Sequence, residues 1–124
     1  MWANRILTVN PYKAPAHNAI GDRAMERGDL ETMLDEKERA MELAPYYLSY
    51  YLDYFDKVHT MMERYSAMGD AAKAALCRER LLGLPARLEQ VKAGTDPLAW
   101  KLQHKPELRL PAEYREKLKA LAIQ

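Results

Sequence analysis

Cysteine is almost absent from this chain: Cys77 is the only one. No intrachain disulfide can form, and a zinc centre of the cysteine type is excluded. Its setting, Ala74-Ala75-Leu76-Cys77, reads as an interior helix face on which the thiol is a small buried hydrophobe. Neither sign of charge is in excess, with 19 Lys and Arg against 18 Asp and Glu. A sequence-independent binder of phosphate backbones needs a basic surplus gathered on one face, so no nucleic-acid partner is expected. No apolar run approaches the roughly 18 residues of a membrane span, and the start lacks the basic segment and apolar core of a secretory signal. The chain as given therefore reads as a soluble, untargeted domain. Glycine-rich phosphate loops, nucleophile elbows and histidine pairs on one helical turn are also missing. No catalytic residue, cofactor or metal is expected, and the reading is non-enzymatic.

What is present is an apolar and strongly periodic chain. Its 124 residues, 48% hydrophobic and 30% charged, suit one globular domain. The apolar periodicity is helical almost throughout. A first helix is expected from about Ala14 to Arg27, with Ala16, Ile20, Gly21 and Ala24 on one face, ended by Gly28 in the manner of a C-terminal glycine. A second runs from about Leu30 to Ala44. Its stripe Leu30, Met33, Leu34, Lys37, Ala40, Met41 is apolar except for Lys37, whose stem is expected to cover the core while its ammonium stays in water. A long amphipathic helix from about Tyr46 to Met68 carries Leu48, Tyr51, Phe55, Val58, Met62 and Tyr65 at spacings of three and four. Ala71 to Leu82 is expected to form its partner helix, with Pro85 shortly beyond it.

Beyond Pro85 the pattern changes. Arg87 to Lys92 suits a short helix that Gly94 ends. Three prolines then interrupt Thr95 to Pro111, and the alternation of Leu98, Trp100 and Leu102, then of Leu108 and Leu110, suits an extended segment. Ala112 to Ala122 reads as a closing helix, with Glu113 and Glu116 early and Lys117 and Lys119 later, an order that suits the helix dipole. Residues 95–124 are read as an extended Pro-rich segment and capping helix of the same domain as the helical repeats of 1–94.

Pro11 and Pro45 stand 34 residues apart. Between them run Ala14-Pro15-Ala16-His17-Asn18-Ala19-Ile20-Gly21, then Gly28-Asp29, then Ala40-Met41-Glu42-Leu43-Ala44-Pro45. Gly21 is a small residue within the first helix, and the Gly-Asp pair recurs at Gly69-Asp70, 41 residues on. Over roughly residues 2–85 this resembles the tetratricopeptide (TPR) family, whose helix–turn–helix units stack because none can bury its apolar face alone. The resemblance implies an all-α fold, a TPR-like α-solenoid. At position 37 the family usually carries a bulky apolar side chain, and this chain departs from it. Trp2 to Pro11 reads as the second helix of a preceding repeat, which leaves two expectations: Met1 is not the natural start, or a short native helix caps the array.

In TPR proteins the first helices of successive repeats line a concave groove for a peptide or partner helix. Carried over by position, the groove residues are Asn18, Asp22 and Met25, then Leu52, Asp56 and His59. Asp22 stands where it would repel a peptide's terminal carboxylate, which disfavours that type of clamp. His17, His59 and His104 are widely separated. His59 has Asp56 and Glu63 one helical turn to either side, a trio that can bind a metal or raise the histidine's pKa. On an exposed helix face it is only solvated charge. Tyr46, Tyr47, Tyr50, Tyr51, Tyr54 and Phe55 crowd one end of the long helix. Tyr51 and Phe55 belong to the core stripe, while Tyr46, Tyr47, Tyr50 and Tyr54 are left at its margin or in solvent, where they line inter-repeat packing or meet a partner.

A narrower likeness rests on Glu42-Leu43-Ala44-Pro45-Tyr46, Gly69-Asp70, Thr95-Asp96-Pro97-Leu98-Ala99-Trp100-Lys101-Leu102 and Lys105-Pro106-Glu107-Leu108-Arg109-Leu110-Pro111. Together these resemble the soluble C-terminal tail of O-antigen polymerase/ligase-like membrane proteins of anaerobic bacteria. That resemblance implies a protein-interaction or scaffold module attached to the bacterial cell membrane through a missing N-terminal portion, with the glycan chemistry located there. The alternative is a free-standing soluble TPR adaptor that binds a peptide or helix in its groove. In either case an unpaired Trp2–Val9 helix would favour weak association of two copies.

Overall fold

The computed structural model describes residue 10 and residues 12–94 and 108–123. The Trp2–Val9 helix, the Thr95–Glu107 segment and His104 lie outside the described residues. Among the described residues six helices follow in order: α1 (Ala14–Glu26), α2 (Leu30–Leu43), α3 (Leu48–Ala67), α4 (Ala71–Leu82), α5 (Leu84–Ala93) and α6 (Ala112–Ile123). No strand occurs among the described residues. The fold is all-α, and its contacts separate two compact units, Met1–Tyr54 and Phe55–Gln124, whose boundary falls within α3.

Two turns of the same construction start α2 and α4. Gly28 and Gly69 hold φ of 76° and 79°, a left-handed backbone that costs glycine nothing and an L side chain about 1–2 kcal/mol. In each turn the following aspartate N–H reaches back to a carbonyl of the previous helix, Asp29 to Ala24 and Asp70 to Tyr65, both at 2.9 Å. The same aspartate then caps the next helix, as Asp29 Oδ1 accepts from Thr32 N and Asp70 Oδ1 from Lys73 N, both at 3.2 Å. One Gly-Asp pair thus satisfies a C-terminal carbonyl and an N-terminal amide. Hydrogen bonds from Thr32 hold the Asp29 carboxyl below its ordinary pKa. Its stabilising contribution is therefore present above the unfolded-state pKa and lost as pH falls through the lowered one. Nothing lies within 4 Å of a Cβ built on Gly69, so Gly69→Ala tests the backbone alone. It is expected to cost about 1–2 kcal/mol, read as a shift of the urea midpoint at unchanged m-value.

In the first unit α1 and α2 pack against each other. Ala14, Ala40, Leu43 and Ala44 form a cluster with half-buried Tyr50 against it, and Asn10 N donates to Leu43 O at 2.8 Å. The inward face of α1 is the expected one in part. Ala14, Gly21 and Ala24 are buried, but Ala16 is exposed and Ile20 only half-buried. His17 and Asn18 are half-buried as well, and Glu36 and Lys37 on α2 receive them. In the second unit Phe55, Val58, Met61, Tyr65, Cys77, Leu81, Leu88, Leu118 and Leu121 are buried, and α4 packs on α6. Arg78 Nε donates to Leu121 O at 2.9 Å, which places a cation on a carbonyl in the last turn of α6. Leu108 and Leu110 are buried and Arg109 between them is exposed. Pro85 does not merely end a unit. It sits in the first turn of α5, where a missing N–H costs nothing.

Candidate functional site

A polar constellation in the first unit is built around Lys37, the residue that interrupts the apolar stripe of α2. Its side chain is fully buried. The ammonium donates to Asn18 Oδ1 at 3.0 Å and pairs with Asp22 Oδ1 and Asp53 Oδ2, each at 2.7 Å. A lysine ammonium has three donors and no acceptor, so all three donors are used. Asn18 and Asp22 lie one turn apart on α1, and Asp53 comes from α3. Both carboxylates are partly exposed, with side-chain exposures of 39% and 28%. The expectation of an ammonium in water is corrected: the two carboxylates and the amide replace its hydration shell.

Gly21 makes room for this arrangement. A Cβ built there would stand 2.7 Å from Lys37 Cγ and 3.3 Å from Met33 O. The lysine stem therefore crosses α1 where that helix has no side chain. Next to it His17 Nδ1 and Glu36 Oε2 lie 2.5 Å apart, a second polar link between α1 and α2.

Of the residues assigned to a groove, Asn18 and Asp22 are thus brought together, but around an internal lysine. Met25 and Leu52 are half-buried in the same unit. Asp56 and His59 belong to the second unit, where Asp56 Oδ2 accepts from the Tyr114 hydroxyl at 3.2 Å. His59 Nδ1 lies 2.9 Å from Glu63 Oε1, and its ring stacks on Phe55 at 5.9 Å and 9°. Burial, with the neighbouring Asp56 carboxylate, pushes the Tyr114 phenol up. Among the described residues no three His, Cys, Asp or Glu side chains are grouped to hold a metal ion.

The tyrosines divide. Tyr47 is exposed, and Tyr46 and Tyr50 are half-buried, with the rings of Tyr47 and Tyr50 edge to face at 6.3 Å. Tyr54, expected at the margin, is buried and its hydroxyl donates to Glu38 Oε2 at 2.7 Å. It lies one turn from Tyr51 on the same face of α3, and a carboxylate on α2 satisfies its polar tip. Tyr51 is fully buried and donates to Pro45 O at 2.8 Å. The tyrosines left at least partly exposed are Tyr46, Tyr47 and Tyr50, with Tyr12 almost fully exposed in the turn before α1.

Compared with models of known protein families, with curated proteins and with solved structures, the chain matches none. No helix among the described residues is long and apolar enough to cross a membrane.

Cys77 is fully buried, and burial raises its thiol pKa to about 11. The thiolate is the reactive form, so labelling by a disulfide reagent at pH 8 is expected to be at least about 100-fold slower in the folded chain than in urea. The folded pKa is raised, so this group's contribution to stability is complete below the unfolded thiol pKa. It then falls by at most about 1.4 kcal/mol per pH unit up to the folded value. Urea titrations at pH 8, 9 and 10 on the native chain and on Cys77→Ala read that slope.

Proposed function

We propose that this chain is a non-catalytic protein-interaction module built from TPR-like helical hairpins. We place it as the C-terminal part of an O-antigen polymerase/ligase-like membrane protein of the bacterial cell envelope. The observation that carries the hairpin-repeat reading is the recurrence of one turn geometry at Gly28-Asp29 and Gly69-Asp70, down to the same aspartate cap. The first of these turns sets α1 and α2 side by side, and stacked hairpins leave an outer face for another hairpin or a partner. In this reading the module recruits a protein or steadies an assembly, and the parent's membrane portion performs the glycan chemistry. Asn18 and Asp22 hold Lys37, so partner contact falls to Met25, Leu52 and the aromatic surface of Tyr46, Tyr47 and Tyr50. Rigid tyrosines with an apolar body and a wet tip suit that role.

The test is an immunoblot of membrane and soluble fractions of the native organism, with an antibody raised against this domain. The proposal expects a band several times heavier than the chain's 14.3 kDa in the integral-membrane fraction. A soluble band at the chain's own mass would overturn the membrane parent and leave a free-standing adaptor. For the module itself, Tyr47→Ala is expected to weaken partner capture at least tenfold without moving the thermal midpoint by more than about 2 °C.

A further inference from the structure

We propose that Lys37 is a register pin: its buried ammonium selects one docking of the first half of α3 on the α1–α2 hairpin, and it contributes specificity rather than net stability.

The need for a pin follows from the composition of α3. Leu48, Tyr50, Tyr51, Leu52, Tyr54 and Phe55 are all aromatic or aliphatic. At 100° per residue they cover an arc of roughly 200°, about twice the stripe a surface helix needs for its core. Apolar burial alone therefore accepts several rotations of this helix against the hairpin. Apart from the tyrosine hydroxyls, the polar side chains in the same stretch are Ser49 and Asp53, and Asp53 stands 2.7 Å from the Lys37 ammonium on α2.

The lysine reads rotation because its acceptors are fixed in number and place. Asn18 Oδ1 and Asp22 Oδ1 supply two from α1, and Asp53 Oδ2 supplies the third from α3. Rotating α3 by one residue moves the carboxylate about 100° around the helix and brings Leu52 or Tyr54 to its place. The ammonium, with a fully buried side chain, would then lack one acceptor where water does not substitute for it. Tyr54, through Glu38, reinforces the same register, but Glu38 is only half-buried and water can serve it. Gly21 belongs to the device too, since any side chain there would meet the lysine stem.

Specificity and stability separate because removing charges from water offsets most of their mutual attraction, and apolar replacements of similar volume are often neutral or stabilising. A single polar group buried among apolar ones, by contrast, can fix which packing is adopted.

The decisive variant removes all the charges at once while keeping the volumes: Lys37→Met with Asp22→Asn and Asp53→Asn, in the full chain. The pin predicts an unchanged or raised thermal midpoint by far-ultraviolet circular dichroism. It also predicts loss of more than half the near-ultraviolet tyrosine signal, and amide exchange across residues 48–54 at least tenfold faster relative to α2. Native near-ultraviolet signal with native exchange would overturn it, since the helix would then find its register unaided. A lowered midpoint, or failure to fold, would overturn it as well, because the cluster would then be a source of stability.

Discussion

Asp22→Asn combined with Asp53→Asn is expected to lower the unfolding free energy by about 3 kcal/mol, and by up to about 5 kcal/mol. The pair of substitutions changes almost no volume and leaves three oxygen acceptors around Lys37. It removes the two negative charges that stand 2.7 Å from an ammonium with no exposure to solvent. Breaking a buried ion cluster from one side leaves an uncompensated charge in a poorly polarisable surrounding, which dominates any hydrogen bonds that survive. The control is Arg39 with Glu42, a pair at 3.2 Å with side chains 40% and 50% exposed, where Glu42→Gln is expected to cost no more than about 0.5 kcal/mol. Urea denaturation at neutral pH measures both. Restoring stability by adding Lys37→Met to the double variant would show that the stranded ammonium causes the loss.

Phe55→Ala is expected to cost about 3–5 kcal/mol, the usual range for truncating a buried phenylalanine. Phe55 is the chain's only phenylalanine and is fully buried. Its ring meets Tyr114 edge-on, with centroids 5.0 Å apart at 84°, and stacks on His59. Truncation leaves a cavity beneath α6 and removes the surface on which Tyr114 rests. Amide exchange in α6 should rise with the global loss and more steeply than in α4. Tyr114→Phe keeps the packing and removes only the hydroxyl that Asp56 accepts. Since Asp56 is exposed and is rehydrated on losing that donor, the loss is expected at or below about 1 kcal/mol.

The helices were legible because their boundaries are written in short-range chemistry. Gly28-Asp29 and Gly69-Asp70 mark turns through the one residue that tolerates a left-handed backbone and one that caps, and α4 runs over the expected Ala71–Leu82. Cys77 reads as interior from its alanine and leucine neighbours, and it is buried. The phase of each helix was harder to read. Scoring apolar residues as inward puts Ala16 in the core, but a helix turns to face its partners, and α1 turns His17 and Asn18 toward Glu36 and Lys37. The same rule leaves Tyr54 outside, because it cannot know that Glu38 waits for the hydroxyl.

Half of the Lys37 site was present in the sequence as two oddities, a lysine within an apolar stripe and a glycine within the preceding helix. Joining them required the third element. Asp53 lies 16 residues beyond Lys37, in a stretch whose aromatic residues leave the rotation of α3 undetermined. Long-range polar pairing of this kind has no local pattern. It explains why Asn18 and Asp22, assigned by position to a partner-facing groove, are engaged within the chain. Substituting either alone should therefore change stability before it changes any affinity.

The most direct test of this account is the side-chain nuclear magnetic resonance signal of the lysine ammonium groups at neutral pH. Lys37 is expected to give a slowly exchanging proton–nitrogen signal with contacts to Asn18, Asp22 and Asp53. Lys73, with a side chain 53% exposed, should exchange with water too fast to be seen. A Lys37 ammonium that exchanges as fast as that of Lys73 would contradict the buried ion cluster, and with it the pinning of α3.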